Sequence, residues 1–376
     1  MRDLLDHADL SRYAGQFVWL EMNYDAPVNR PFMTKFGPQA TPTFFVIDPD
    51  DEQVTATQPG AMSLDALKEF LERGANGMLA KNQTPAEAAL MRGDTFRAQQ
   101  PAEAAKAYEE ALRLAPEKWA GRDLAEASLV GALQDSAQWQ QCAEKASSEA
   151  AGMTRSETFS RVVVTGMWCV VSSDAAPWVE PAAKKLEPLA TEALSLKTTV
   201  RDHRDELYRT LMYLSVARKD NVAAAKWGDR WLSELDAIHP SSDDERSALD
   251  IARVENVQVY GDPERILPAL KASERAMPGN YIASLRLAQM ELAAQHYDDA
   301  YEACTRGLAR DPGANGRAWL QQIQAQVLIK RGKIADARTL LQDALETARS
   351  IPDNMGRDMS MGMIENTLKS IETAPK

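Results

Sequence analysis

The chain has 376 residues, with 43 Lys and Arg against 55 Asp and Glu, so its formal net charge is -12. This acidic balance argues against a nucleic-acid groove and against binding to an anionic membrane, because both need clustered cations. Hydrophobic residues make up 44% of the sequence, which is typical of a folded chain with a core. We therefore expect neither a nucleic-acid partner nor a membrane partner.

The first elements predicted along the chain are strands followed by a helix. Three short runs rich in β-prone residues predict strands at residues 17–22, 43–48 and, more weakly, 53–57. Ser63 provides an N-cap for an apolar-striped helix over residues 64–72, and Gly74 is expected to end it. The pattern predicts a small α/β module.

This segment resembles the second part of a thioredoxin. The matching motifs follow the order of that family over residues 2–74: Tyr24-Asp25, Lys35-Phe36-Gly37, Ala40-Thr41-Pro42-Thr43, the strand that follows, Gly60-Ala61 and residues 67–71. In thioredoxins the Thr-Pro bond is cis and lies beside the redox disulfide, so the resemblance implies a cis bond between Thr41 and Pro42. It also implies a partial thioredoxin-like domain over residues 1–76.

The redox motif of that family is missing from this sequence. Thioredoxins carry a strand and a CxxC ahead of the point where the resemblance begins, and dithiol exchange needs two neighbouring thiols. Cys142, Cys169 and Cys304 are far apart, so their spacing predicts neither a disulfide framework nor a metal or redox pair, and we expect buried thiols in helices. The module is expected to be redox-inactive, and no enzymatic activity is expected of the chain as it stands.

Two explanations of the missing motif stay open. Sequence upstream of Met1 would supply the strand and the CxxC and make the protein a thiol-disulfide oxidoreductase, or the lineage keeps a remnant of the fold for packing. As written, the chain starts without a secretory apolar segment, and its longest apolar stretch, residues 162–171, is shorter than the roughly 18 residues of a spanning helix. We expect a cytoplasmic location as written, and a periplasmic or secreted one if a signal segment precedes Met1.

From residue 77 onward the strand signals stop and Ala-rich helical segments follow one another. The window over residues 88–116 resembles a tetratricopeptide repeat, a pair of helices of roughly 34 residues. Five positions carry the resemblance. Gly93 lies at the close helix crossing, Ala104 and Ala111 are the small residues of the second helix, and Tyr108 is the large side chain between them. Pro116 closes the repeat. We expect these residues to pack the helices of the pair together.

A second window, residues 284–312, repeats the pattern. Ala300 and Gly307 lie at the same distances before Pro312 as Ala104 and Ala111 lie before Pro116. Cys304 then takes the position of Tyr108, which predicts a buried thiol that fills space. Weaker windows of the same kind are residues 124–150, 207–235, 248–278 and 319–348.

Together these windows predict a mainly α fold, a tetratricopeptide-type α-solenoid over residues 77–376 beside the partial α/β module. About seven helix pairs fit at this repeat length, and Met355, Met359 and Met363 mark a terminal helix. Residues 153–197 contain three prolines and depart from the pattern, and whether they divide the array stays open.

The resemblance implies a scaffold that binds a protein or peptide partner in the groove of the solenoid, with its oligomeric state open. The four histidines, His7, His203, His239 and His296, are dispersed and lack metal-ligand spacing. No phosphate-binding loop or nucleophile elbow occurs. We expect no catalytic residue, no cofactor and no metal site.

Overall fold

A computed structural model of the chain describes residues 2–23, 26–37, 41–78, 84–173, 176–351 and 355–373. The chain divides into two compact units, which we call the first unit (Met1–Arg218) and the second unit (Lys219–Lys376). The boundary predicted between residues 76 and 77 stays a prediction, and the N-terminal elements pack with the first helices of the first unit. The division between the two units, after Arg218, does not fall within residues 153–197. Tyr24, Asp25 and Ala40 of the thioredoxin resemblance lie outside the described residues.

The first unit begins with short elements and a two-stranded sheet. They are helix α1 (Arg2–Leu5), 3-10 helices Ala8–Tyr13 and Pro27–Asn29, helix α2 (Arg30–Phe36), strands β1 (Thr43–Ile47) and β2 (Val54–Pro59), and helix α3 (Leu64–Met78). The strands are antiparallel, with Thr43 opposite Pro59. Leu10, Tyr13, Val46, Leu67 and Phe70 are among the residues that form the core between these elements. The prediction of a mainly helical chain with a small strand-containing N-terminal part is confirmed.

The strand predicted over residues 17–22 is wrong. No regular structure is found there, and Val18, Trp19 and Leu20 are 87%, 47% and 73% exposed. An apolar run forms a strand only where a neighbouring strand satisfies its backbone groups. In the described residues the sheet contains β1 and β2 alone, so this run has no strand beside it.

Helix α3 extends past the predicted stop at Gly74 to Met78. A Cβ atom at Gly74 would lie within 3.0 Å of three carbon atoms of Val46 on β1. The glycine therefore permits close approach of helix and sheet instead of ending the helix. The predicted start is where the sequence placed it, since the Ser63 hydroxyl accepts a hydrogen bond from the Ala66 N–H at 3.2 Å.

The Thr41–Pro42 peptide bond is cis, the geometry that the resemblance implies. The Pro42 carbonyl accepts a hydrogen bond from the Gly60 N–H at 2.8 Å, which ties the start of β1 to the end of β2. The pair of residues thus lies at the open end of the hairpin.

Seven helices complete the first unit. They are α4 (Pro85–Phe96), α5 (Pro101–Leu114), α6 (Arg122–Asp135), α7 (Trp139–Glu149), α8 (Glu157–Val171), α9 (Val179–Ser195) and α10 (Arg201–Ala217). Helix α4 packs with α5, α6 with α7, and α8 with α9, while α8 also packs on α6 and α10. Residues 153–197, which the sequence set apart, contain the ordinary pair α8 and α9. Pro181 lies near the start of α9, and Pro188 lies inside it.

The second unit contains eight helices in its described residues. They are α11 (Asn221–Asp236), α12 (Asp243–Tyr260), α13 (Leu267–Ala276), α14 (Tyr281–Ala293), α15 (Tyr297–Leu308), α16 (Gly313–Lys330), α17 (Ile334–Arg349) and α18 (Met355–Thr373), with a 3-10 helix, Pro263–Arg265, before α13. The pairs α14/α15 and α16/α17 are the most closely packed, and α18 covers α16 and α17. None of the helices in the described parts of either unit is long and apolar enough to cross a membrane.

Three turns within helix pairs share one geometry that the sequence does not reveal. Ala137, Gln295 and Gly332 each end the first helix of a pair with a positive φ angle, of 56°, 64° and 72°. In each turn the next N–H donates to the carbonyl five residues earlier, for example His296 to Glu291 at 2.8 Å. This is the Schellman arrangement, which satisfies the last carbonyls of the first helix. Only one of the three positions is the glycine that such a turn favours.

Cys142 and Cys169 form a disulfide, which corrects the expectation of three unpaired buried thiols. They lie on the neighbouring antiparallel helices α7 and α8, with Cα atoms 6.2 Å apart, although 27 positions separate them in sequence. The spacing could not show this pair because it depends on how two helices face each other. Cys304 is the remaining free thiol and is buried.

Candidate functional site

The predicted packing residues lie inside the helix pairs. Ala104, Tyr108, Ala111, Ala300 and Cys304 are fully buried. A Cβ atom at Gly93 would lie 2.4–2.8 Å from three atoms of the Tyr108 ring, and one at Gly307 would lie 2.9–3.0 Å from two atoms of Leu320. Pro116 follows the end of α5 by two residues, and Pro312 is the N-cap of α16. The buried positions hold helices together and present no surface to a partner, whereas Pro116 is exposed.

The Tyr108 ring ends in a buried charged group that the sequence did not reveal. The Tyr108 hydroxyl donates to the Asp94 carboxylate at 2.7 Å, and Arg73 of α3 donates to the same carboxylate at 2.6 Å. Burial raises the pKa of Asp94, although the Arg73 charge opposes the rise. Burial, with the Asp94 charge beside the ring, raises the pKa of Tyr108 well above its usual value. The cluster ties α3 to the first helix pair.

In the first unit the hairpin and the loop after it lie against the first helices of the pairs. The Thr95 hydroxyl of α4 donates to the Val54 carbonyl of β2 at 2.9 Å, and Thr57 of β2 donates to the Asp94 carbonyl at 3.1 Å. Further along, the Ser63 N–H donates to the Glu157 carboxylate of α8 at 3.1 Å. These helices therefore hold an extended segment of their own chain.

The second unit contains an open cleft, which we call the charged cleft. Its volume is about 860 Å³, and it is formed by helix α13, the 3-10 helix before it, the α14–α15 turn with the first turn of α15, and the end of α16. Leu267, Pro268 and Tyr297 supply apolar surface. The remaining lining is mostly charged: Glu264, Lys271, Arg275, His296, Asp298, Asp299 and Arg331.

Beside the cleft lies a buried carboxylate, Glu291 of α14, whose side chain is 1% exposed. The Lys271 ammonium of α13 lies 2.8 Å from its Oε1 atom, and the His296 Nδ1 atom lies 2.7 Å from its Oε2 atom. The hydrogen bond to Glu291 raises the pKa of Lys271 and that of His296 above their usual values. A lysine and a histidine from different elements thus converge on one buried negative charge.

In the ion pairs at the rim of the charged cleft each acid is more exposed than its basic partner, while Arg275 of the lining is exposed as well. Asp298 pairs with Arg331, yet the Asp298 side chain is 91% exposed and that of Arg331 only 27%. Asp299 lies 3.8 Å from the Lys271 ammonium, which Glu291 already engages more closely. Glu264 lies 3.0 Å from His296 Nε2 and is also more than half exposed. A ligand that enters the cleft meets these solvated carboxylates together with the exposed Arg275.

Sequence reasoning missed this site. His296 was expected to be an isolated histidine, and the other charged residues were not singled out. One signal could have found part of it, since Glu291 and His296 bracket the turn of a predicted helix pair and Asp299 opens the next helix. Among the described residues, Glu291, His296 and Asp299 form the one group of three that could hold a metal ion.

Comparison with known proteins gives little beyond this geometry. No family model matches the chain, and no curated protein matches it. Matches among solved structures include the crystal structure of a tetratricopeptide repeat protein from Parabacteroides merdae, which is 12% identical. The superposition covers 76% of this chain and 100% of that one with a TM-score of 0.43, so the likeness carries no argument about function. The charged cleft is the feature of the described residues that bears on function.

Proposed function

We propose that this chain is a tetratricopeptide-type scaffold that binds a protein or peptide partner, and that the charged cleft of the second unit takes the partner. The observation that carries the proposal is the lining of this cleft, an apolar surface of Leu267, Pro268 and Tyr297 inside a charged rim. Clefts that join apolar surface to a few oriented polar groups are where ligands bind preferentially. An extended peptide offers both kinds of group in alternation.

The charge of the rim favours a basic partner. Asp298, Asp299 and Glu264 are each more than half exposed, and the whole chain carries a net charge of -12. Complementary charge accelerates association and sets specificity more than it raises affinity. We therefore propose a segment in which apolar residues alternate with Lys or Arg.

The experiment compares two labelled peptides of equal length, one alternating Leu with Lys and the other alternating Leu with Glu. Fluorescence anisotropy with the full chain is expected to show binding of the basic peptide, weakened by salt and by Asp298→Asn. Asp343→Asn on α17 is the matched control, since Asp343 is exposed and lies outside the cleft lining. Equal binding of both peptides, or equal loss in the two variants, would count against the proposal.

For the first unit, we keep the proposal that a protein or peptide partner binds in a groove lined by its helices. What supports it is that α4 and α8 already hold an extended segment of this chain, β2 and the loop to Ser63, through backbone and side-chain hydrogen bonds. This is the kind of segment that a helix-lined groove accepts from a peptide.

We keep the partial thioredoxin-like module, truncated and redox-inactive, as a proposal. The order β1, β2, α3 and the packing of α3 on both strands support it. The same order supports the alternative, a thiol-disulfide oxidoreductase whose CxxC lies upstream of Met1. Reading the in-frame nucleotide sequence upstream decides between them, because a strand followed by CxxC favours the oxidoreductase and an immediate stop codon removes it.

We also propose that the protein works in an oxidising compartment, in place of the cytoplasmic location expected from the sequence as written. The Cys142–Cys169 disulfide supports this, since such bonds persist mainly outside the reducing cytosol. Alkylation of thiols in intact cells followed by mass spectrometry tests it. Cys142 and Cys169 are expected to escape alkylation as a linked pair, and labelling of both in the native host would contradict the proposal.

A further inference from the structure

We propose that Glu291, His296 and Asp299 form a binding site for a divalent transition-metal ion such as Zn²⁺ or Mn²⁺ beside the charged cleft. One donor atom from each residue lies within 4.8 Å of the other two. Imidazole and carboxylate donors suit these ions, with bonds of roughly 2.0–2.2 Å to zinc. Small side-chain rotations would bring the three donors onto one ion. The inference does not depend on the peptide proposal.

The state of Glu291 is the second observation that points to an ion. Its side chain is 1% exposed, and among the described residues the partner of its Oε1 atom is the Lys271 ammonium. The counter-charge beside Oε1 is the Lys271 ammonium at 2.8 Å, whose side chain is 41% exposed. Burial of a carboxylate is costly without a close positive charge. A flexible, half-exposed lysine supplies that charge and can swing out to leave the position to a metal ion.

The surroundings of His296 fit a ligand histidine. Its Nδ1 atom faces Glu291, while Nε2 lies 3.0 Å from the Glu264 carboxylate outside the group of three. Metal-bound histidines commonly donate their second N–H to such a carboxylate, which orients the ring and fixes the tautomer. With Nε2–H held by Glu264, an incoming ion would displace the proton that Nδ1 shares with Glu291 and take up the Nδ1 lone pair.

Charge also favours a divalent ion. Glu264, Glu291 and Asp299 carry three negative charges around His296, and Lys271 supplies one formal positive charge to this group. A divalent ion that displaced the ammonium would make the net charge of this group less negative by one. Lys271 is therefore a competitor for the site, and its removal is expected to tighten metal binding.

The test is calorimetric titration of the full, chelator-treated chain with Zn²⁺ and, separately, Mn²⁺, with no peptide present. One ion per chain is expected to bind. His296→Gln and Asp299→Asn should each weaken binding by about tenfold or more, because each removes a ligand. His239→Gln, at an exposed histidine of the second unit outside this group, should leave binding unchanged.

Lys271→Met separates the metal site from a simple ion-pair cluster. With a metal site, this variant binds the ion more tightly than the unaltered chain and regains thermal stability when the ion is added. With only an ion-pair cluster, the variant is destabilised and the added ion restores nothing. Absence of binding in both proteins at millimolar ion, or binding that survives His296→Gln unchanged, would overturn the proposal. Loss of peptide binding alone would leave it standing.

Discussion

Reduction of the Cys142–Cys169 disulfide is expected to destabilise the first unit substantially. The bond joins residues 27 positions apart on α7 and α8. The chain-entropy relation for a loop of this length gives roughly 3.5 kcal/mol at 25 °C, since the open unfolded chain gains conformational freedom that the bond withholds. This is a large part of the roughly 5–15 kcal/mol that separates typical folded and unfolded states.

Equilibrium urea unfolding with and without a phosphine reductant measures this difference. Reduction keeps both sulfur atoms in the chain, although they move apart and each gains a hydrogen, whereas Cys142→Ala with Cys169→Ala removes both sulfurs and leaves buried space. Cys304→Ala is the matched control, since Cys304 is buried but unpaired. Amide hydrogen exchange should speed up in α7 and α8 on reduction. Equal urea midpoints for the two redox states, or a double variant no less stable than Cys304→Ala, would refute the reasoning.

Three further predictions concern the backbone and the pH. Gly93→Ala should cost about 1–3 kcal/mol because its Cβ atom would overlap the Tyr108 ring. Ala137→Gly should stabilise the first unit by about 0.5–1 kcal/mol, since residue 137 has a positive φ of 56°. Burial, with the Arg161 charge nearby, lowers the pKa of His203 to about 3. The unfolded chain therefore binds a proton below about pH 6.5 that the folded chain does not, and stability should fall by about 1.4 kcal/mol per pH unit from there down to about pH 3.

Each of these has a matched control in the same chain. Gly362→Ala on α18 meets no neighbour within 4 Å, so it should stabilise its helix where Gly93→Ala destabilises. Gly332→Ala should lower stability where Ala137→Gly raises it, because Gly332 also has a positive φ. Replacing His203 by Gln should flatten the acid limb of the stability profile, and His239→Gln should not. Urea midpoints that show the opposite order in any pair would contradict the corresponding argument.

The sequence predicted what depends on periodicity and failed where the answer depends on a distant neighbour. Helical spacing was enough to place Ala104 and Tyr108 in the interior of a pair, because residues three and four apart share a helix face. The run at residues 17–22 has strand composition, but a strand also needs a partner, and none lies beside it in the described residues. The sequence predicts a helix end at Gly74, whereas this glycine lies in close contact with Val46 inside the helix.

The disulfide and the charged cleft could not be predicted from the sequence, for a related reason. Cys142 and Cys169 meet because α7 and α8 are antiparallel neighbours, and spacing along the chain does not report that. Lys271, Glu291 and Asp299 come from three helices, and each is an ordinary solvated charge when its own helix is read alone. The burial of Glu291 becomes visible only once those helices are packed.

Hydrogen exchange of the full chain, with and without the alternating Leu-Lys peptide, shows whether the charged cleft of the second unit binds a basic, partly apolar peptide. We expect slower exchange in α13 and in the first turn of α15, where Lys271 and Asp298 lie, and no such protection in the Asp298→Asn variant. Protection confined to other helices, or no protection at saturating peptide, would contradict it.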